Sequence, residues 1–285
     1  MKTTKLLGAH LSISGGLDKA IDKAKQLESN CLQIFTKSNR QWQAKSISET
    51  EQTLFKKKLK DSAIKFIVAH AAYLINLGSK NEKVRKNSIE SLIQELQRCD
   101  QLAIPYLVFH PGTSYFESEE ESLQFLAQQI DLVIKKSQTT NVTLLLEIMA
   151  GQGKSIGYNF QQLGKILSYS KEEKRLGICF DTCHAFAAGY HFDTKESATK
   201  MWQDFDKEIG IQKLKLFHLN DSKNNLGSKI DRHENIGMGK IPLNAFKLIL
   251  QNKNFQNIPK IIETPKSEND LESDKKNLDL LKSLA

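Results

Sequence analysis

Eight short runs rich in Val, Ile, Leu and Phe recur along the chain at nearly even spacing, and this limits the possible folds more than any other feature. They are Leu6–Leu11, Cys31–Thr36, Phe66–His70, Tyr106–His110, Val142–Glu147, Leu176–Asp181, Leu214–Leu219 and Ile261–Thr264. Several are continuously apolar rather than alternating, as VTLLLE shows. Such a run reads as a parallel strand buried on both faces. Helical patterns lie between the runs. In 84–103 the residues Ile89, Leu92, Ile93, Leu96, Cys99 and Ala103 follow the 3.6-residue period. In 118–136, Ser118 and Glu121 form a capping-box signature ahead of Leu123, Leu126, Ile130, Val133 and Ile134. Segments 17–28, 49–60, 159–173, 195–209, 243–252 and 269–284 carry weaker helical patterns.

The spacing predicts the architecture. His10 and Glu263 mark the ends of the first and last runs and are 253 residues apart. Seven intervals over that length make about 36 residues per unit, the size of a strand–helix unit. Eight units predict an α/β protein, a (β/α)₈ TIM barrel, as a single domain over residues 1–285. A doubly wound open sheet is the alternative, but no G-x-G-x-x-G follows the first run.

Composition narrows the function classes. Hydrophobic residues are 39% and charged residues 26%, ordinary for a globular chain. No apolar run approaches the roughly 18 residues of a membrane span. The opening MKTTKLLGAHLSIS turns polar too soon for a signal peptide, so a cytoplasmic location is expected. Cys31, Cys99, Cys179 and Cys183 show no disulfide-scaffold spacing and read as packing residues. The net charge of +8 leans towards a polyanionic partner. Nearly all the basic residues are lysines, with only five arginines, so charge alone fits a lysine-rich solvated surface equally well.

Six consecutive runs, the third to the eighth, carry at their last or next-to-last position a residue able to bind a metal: VAH at His70, VFH at His110, LLLE at Glu147, ICFD at Asp181, LFH at His218 and IIE at Glu263. In a barrel, strand C-termini form the active-site face. Two more groups follow: DTCH places His184 just past the sixth run, and DRH places Asp231 and His233 in a long loop after the seventh. If that loop is extended, Asp231 and His233 share one face. Each residue also has an ordinary structural reading. A lone histidine is commonly a hydrogen-bonded core residue, Glu147 could pair with a lysine, Asp181 could cap a helix, and Asp231 could pair with Arg232. Together those readings bury several carboxylates at a barrel mouth without partners, at several kcal/mol each. A cluster of cations removes that cost. Nine ligands suit two or three ions, and a set of His, Asp and Glu without Cys suits Zn, Mn or Fe.

These segments resemble the endonuclease IV family of apurinic/apyrimidinic (AP) endonucleases. The resemblance runs through GAHLSISGGL (8–17), FTKSNRQW (35–42), HAAYLINL (70–77), FHPGT (109–113), EIMAGQG (147–153), DTCHAFAAGY (181–190), FHLNDSK (217–223), DRHENIG (231–237) and IETP (262–265). It implies a TIM barrel holding three Zn²⁺ ions, with Mn²⁺ or Fe²⁺ as substitutes. His70, His110 and Glu147 would hold the first ion. Glu147, Asp181, His218 and Glu263 would hold the second, with Glu147 bridging as the catalytic carboxylate. His184, Asp231 and His233 would hold the third. The resemblance also implies a monomer that repairs double-stranded DNA. It would cleave the phosphodiester 5′ to abasic sites, leaving a 3′-hydroxyl and a 5′-deoxyribose phosphate, and clean blocked 3′ ends. Arg40 and Tyr73 match family positions that insert into DNA. The chain departs from the family pattern at Ile148 and Met149, and at Met238 within Gly237-Met238-Gly239.

Two other readings compete. A metal-dependent sugar isomerase uses a similar barrel and overlapping ligands, but His184, Asp231 and His233 are a surplus for it. A non-catalytic DNA-damage binder needs no bridging glutamate.

Overall fold

A computed structural model describes residues 5–113, 116–266 and 270–285. The first four residues of the N-terminal segment and position 269 of the expected last helix lie outside them. Strand–helix units follow one another along the chain. They run β1 (Leu7–His10), α1 (Leu17–Gln26), β2 (Cys31–Phe35), α2 (Glu49–Lys60), β3 (Phe66–His70), α3 (Glu82–Gln101), β4 (Tyr106–Phe109) and α4 (Glu119–Ser137). Then come β5 (Thr143–Glu147), α5 (Phe160–Tyr169), β6 (Leu176–Asp181), α6 (Thr182–Ala188), α7 (Lys195–Glu208) and β7 (Leu214–His218). A small ribbon of β8 (Asp221–Ser222) and β9 (His233–Glu234) precedes α8 (Leu243–Gln251), β10 (Lys260–Ile262) and α9 (Asp270–Leu284). The eight strands β1 to β7 and β10 close into one barrel. Each neighbouring pair is parallel. No helix among the described residues is long and apolar enough to cross a membrane.

The expected elements are all present, with small shifts at their ends. Ser118 caps α4 by accepting from the Glu121 amide. The fifth expected helix stops at Tyr169, and Glu173–Arg175 form a separate 3₁₀ turn. One face of each long helix is buried against the sheet, as Leu92, Leu96 and Cys99 show on α3. The sequence reading did not include the β8–β9 ribbon, and it anticipated the short α6 only as the helix that Asp181 could cap.

Within the barrel, side chains alternate with period two. Cys31, Val68, Val108, Leu145, Cys179, Leu216 and Ile261 form an apolar cluster separate from the rest of the core, which is the barrel lumen. The remaining strand, β1, contributes Gly8, where a Cβ would sit 1.9 Å from the Cys31 carbonyl oxygen, so only glycine permits this close approach of β1 to β2. Two residues beyond each member of this layer, towards the strand C-termini, lie His10, Gln33, His70, His110, Glu147, Asp181, His218 and Glu263. The lumen therefore changes from apolar to polar within one pleat.

Candidate metal centre

Glu147 ends β5 and is completely buried. Its Oε2 lies 3.1 Å from His70 Nε2 and 3.3 Å from His110 Nε2. Its Oε1 lies 3.0 Å from His218 Nδ1. Oε1 also lies 3.2 Å from His184 Nδ1, so the two oxygens face His70 and His110 on one side and His218 and His184 on the other. His218 Nδ1 is also 3.2 Å from Glu263 Oε2 and 3.8 Å from Asp181 Oδ2. Across the mouth, His184 Nε2 lies 3.2 Å from Asp231 Oδ1 and 3.4 Å from His233 Nε2.

Three sets of donors converge in this way: His70, His110 and Glu147; Glu147, Asp181, His218 and Glu263; and His184, Asp231 and His233. Within each, all ligand atoms lie within 4.8 Å of one another. Donors at about 2.0–2.1 Å from a tetrahedral zinc are about 3.3 Å apart, so these spacings fit an ion. Cys179 and Cys183 also fall in candidate groups, but burial pushes both thiols up to about 12, which favours the histidine–carboxylate sets. Among the described residues, no lysine or arginine pairs with Glu147, Asp181, Asp231 or Glu263.

Neighbouring groups orient these donors. His70 Nδ1 donates to the Ala71 carbonyl at 2.7 Å, and His184 Nδ1 to the Ile148 carbonyl at 2.9 Å. His233 Nδ1 donates to the Glu263 carbonyl at 3.0 Å. Each bond assigns the proton to Nδ1 and turns Nε2 to the centre, the arrangement that a ligating histidine needs. His218 is reversed: Nε2 donates to Gln33 Oε1 at 2.8 Å and Nδ1 faces the carboxylates. Asp181 acts as both helix cap and site residue. Its Oδ1 accepts from the His184 amide at 2.8 Å, while Oδ2 accepts from Asn220 Nδ2 at 2.6 Å.

The electrostatics follow from burial in company. Burial opposes charge on Glu147, but His218 and His110 hold its carboxyl well below the usual range. Burial likewise opposes charge on His184, but Asp181 and Asp231 raise its pKa well above the ordinary value. A divalent ion would replace those protons as the counter-charge.

His10 and Gln33 complete the polar ring, and the sequence reading left them out of the site. Gln33 Nε2 donates to Glu263 Oε1 at 2.5 Å, and His10 Nδ1 lies 2.9 Å from the same oxygen. Their period-two offset from Gly8 and Cys31 was the available signal. Asp221 was also missed. Its carboxylate accepts from the amides of Ser222, Gly237, Gly239 and Ile241 at 2.7–3.0 Å, folding the loop that bears Asp231 and His233. A Cβ at Gly239 would meet Asp221 Oδ1 at 2.4 Å, so that position too requires glycine. Arg232 donates to the Asp231 backbone carbonyl.

Arg40 and Tyr73 stand on the loops after β2 and β3. Arg40 is exposed and makes no ion pair among the described residues. Tyr73 is 56% exposed, and its ring lies 5.5 Å from His70 and 5.7 Å from His110. Trp42 packs against the core. A cleft of about 580 Å³ opens beside the donors, lined by His10, Phe35, Lys37, Tyr73, Glu263 and Lys266 among others.

The profile of the family described as xylose isomerase-like TIM barrel matches residues 21–284. A probable endonuclease 4 of Chloroflexus aurantiacus is 43% identical over 277 residues, covering 97% of each chain. One from Geotalea daltonii is 40% identical over 278 residues, covering 98% of this chain and 97% of its own. The crystal structure of endonuclease IV from Thermus thermophilus superposes with a TM-score of 0.87 at 29% identity, over 99% of this chain and all of that one. A D-tagatose 3-epimerase-like protein superposes at 0.73 with 19% identity, over 99% of this chain and 97% of that one, a likeness of fold alone. Full-length identity above 40% places the chain in the endonuclease IV family of hydrolases.

Proposed function

We propose that this protein hydrolyses the phosphodiester bond 5′ to abasic sites in duplex DNA, leaving a 3′-hydroxyl and a 5′-deoxyribose phosphate, and removes 3′-blocking groups. It would act in base excision repair as a cytoplasmic monomer whose single domain spans the chain. The observation that carries this reading is the division of the Glu147 carboxylate between two donor sets, with a third set alongside. The first ion falls to His70, His110 and Glu147, the second to Glu147, Asp181, His218 and Glu263, and the third to His184, Asp231 and His233. Zinc suits these donors, and Mn²⁺ or Fe²⁺ suits the same chemistry. Zinc held there supplies Lewis acidity, bringing the pKa of water to about 7 and offsetting the charge that the phosphate gains in an in-line displacement.

The chain's own residues do the rest. Glu147 sets the separation of two donor sets and orients the attacking water. The hydrogen bonds at Ala71, Ile148 and Glu263 hold three imidazoles in the ligating tautomer. Arg40 and Tyr73, exposed above the donors, enter the duplex and hold the target nucleotide out of the stack. The third donor set and the net charge of +8 disfavour a sugar isomerase.

The test is incision of a duplex bearing one abasic-site analogue, with the product ends identified. A cut on the 5′ side leaving a 3′-hydroxyl is expected. Intact DNA after incubation with zinc-loaded protein would reject the proposal and direct attention to sugars.

A further inference from the structure

Helix α3 carries two charged side chains into the protein interior, Glu95 and Arg98. Glu95 pairs with Lys37 at 3.2 Å, and the two side chains are only 1% and 2% exposed. A buried ion pair does not by itself stabilise a fold over well-packed apolar residues, so its connections are informative. Glu95 Oε1 also accepts from the Ala72 amide at 3.1 Å, next to Tyr73. Lys37 Nζ donates to the Gln41 carbonyl at 2.6 Å, closing the turn around Arg40. One carboxylate oxygen is therefore the junction between the loop after β2 and the loop after β3. The same helix anchors the rest of the first loop. Arg98 donates to the carbonyls of Thr36 and Lys45, the latter at 2.7 Å. Gln94 exchanges two bonds with the Ala44 backbone at 3.0 and 3.2 Å.

We propose that the buried Lys37–Glu95 pair is a positioning device that locks the Arg40 loop to the Tyr73 loop, so that both meet duplex DNA already ordered. This rests on the reading of Arg40 and Tyr73 as DNA contacts. Ordering the loops before association removes an entropic cost of binding. Among the described residues no hydrogen bond or ion pair joins Lys37 or Glu95 to a candidate metal donor, and Glu95 acts on His70 only through space, so the main effect falls on DNA affinity and not on the chemical step.

The experiment compares Lys37→Met, Glu95→Gln and the double variant as full-length, zinc-loaded protein, on duplex DNA with one abasic-site analogue. Gln at position 95 keeps an acceptor for Ala72, and the double variant removes both charges of the Lys37–Glu95 pair together, so it carries the test if a single variant fails to fold. KM is expected to rise at least tenfold in each folded variant, with kcat within threefold and the zinc content unchanged. Amide exchange in the DNA-free protein is expected to speed up at both 37–45 and 71–75. A KM within twofold of the parent, exchange rising in one loop only, or lost zinc would each overturn the proposal. Arg40→Ala, run in parallel, separates the two ideas. If it weakens binding while the pair variants do not, the locking role alone fails. If neither changes affinity, the DNA-contact reading fails and takes this proposal with it.

Discussion

Asp221→Asn probes how the outer donors are held, and its effect can be worked from the bonds it breaks. In the parent, Oδ1 accepts from Ser222 N at 2.7 Å and Ile241 N at 2.9 Å, and Oδ2 from Gly237 N at 2.9 Å and Gly239 N at 3.0 Å. Asparagine keeps one acceptor oxygen and turns an NH₂ towards the other two amides. Two charge-assisted bonds are lost, each contributing about 1.5–3 kcal/mol. Burial pushes the Asp221 carboxyl up more strongly than the Ile241, Gly239, Ser222 and Gly237 amides pull it down. The lower end of that range therefore applies, a total of about 3 kcal/mol. The bonds close a loop and not the barrel, so the loss falls on local opening of the segment bearing Asp231 and His233. At about 1.4 kcal/mol per tenfold, retention of the ion proposed at His184, Asp231 and His233 should weaken by about 100-fold. The assay is zinc per chain after dialysis against graded chelator. One equivalent should leave the variant far earlier than the parent, while the remainder follows the parent. A variant that keeps every equivalent at the parent's chelator concentrations would refute the reasoning.

Three further outcomes are expected. Glu147→Gln should lower incision at least 100-fold under matched zinc loading, by loss of a shared ligand charge; activity within tenfold of the parent would remove Glu147 from its assigned role. Arg40→Ala and Tyr73→Ala should weaken DNA binding with zinc content unchanged; zinc loss in either would contradict a DNA-contact role. In metal-stripped protein, burial lowers the pKa values of His70, His184 and His218, but the neighbouring carboxylates, and for His218 also the Cys179 thiol beside it, outweigh it and all three are raised above 6.5. A histidine raised on folding stabilises fully below its unfolded value and loses that contribution as pH rises through its folded value. Stability of the stripped protein should therefore fall as pH rises above about 6.5, while metal retention, which needs neutral imidazole, should strengthen over the same window. Thermal melts across that window, with and without chelator, check this, and parallel trends would contradict it.

Much of this molecule was readable before folding. The strands could be placed because burial on both faces demands continuous apolar runs, and VTLLLE admits few other uses. His70, His110, Glu147, Asp181, His218 and Glu263 stood out because each is a polar residue ending such a run. His10 and Gln33 did not. The first reads as a strand marker, and Gln33 lies inside CLQIF, where only the period-two step from Cys31 puts its amide on the inner face. Asp221 was invisible because its partners are backbone amides up to 20 residues away in a loop without periodic pattern.

The sequence by itself determined the barrel, because period, strand-run length and unit spacing are local and repeat eight times. It also determined which residue types reach the strand ends. How they group does not follow from the local pattern: the family resemblance supplied the three sets, and the tertiary structure brings their ligand atoms together. Closure of the barrel turns the ends of β3, β4 and β7 inward to Glu147 on β5, so residues far apart in sequence divide one carboxylate between them. It likewise placed the Lys37–Glu95 junction, which joins two loops to a helix through a single oxygen. Such groupings depend on distances across the barrel mouth, and no local pattern encodes them.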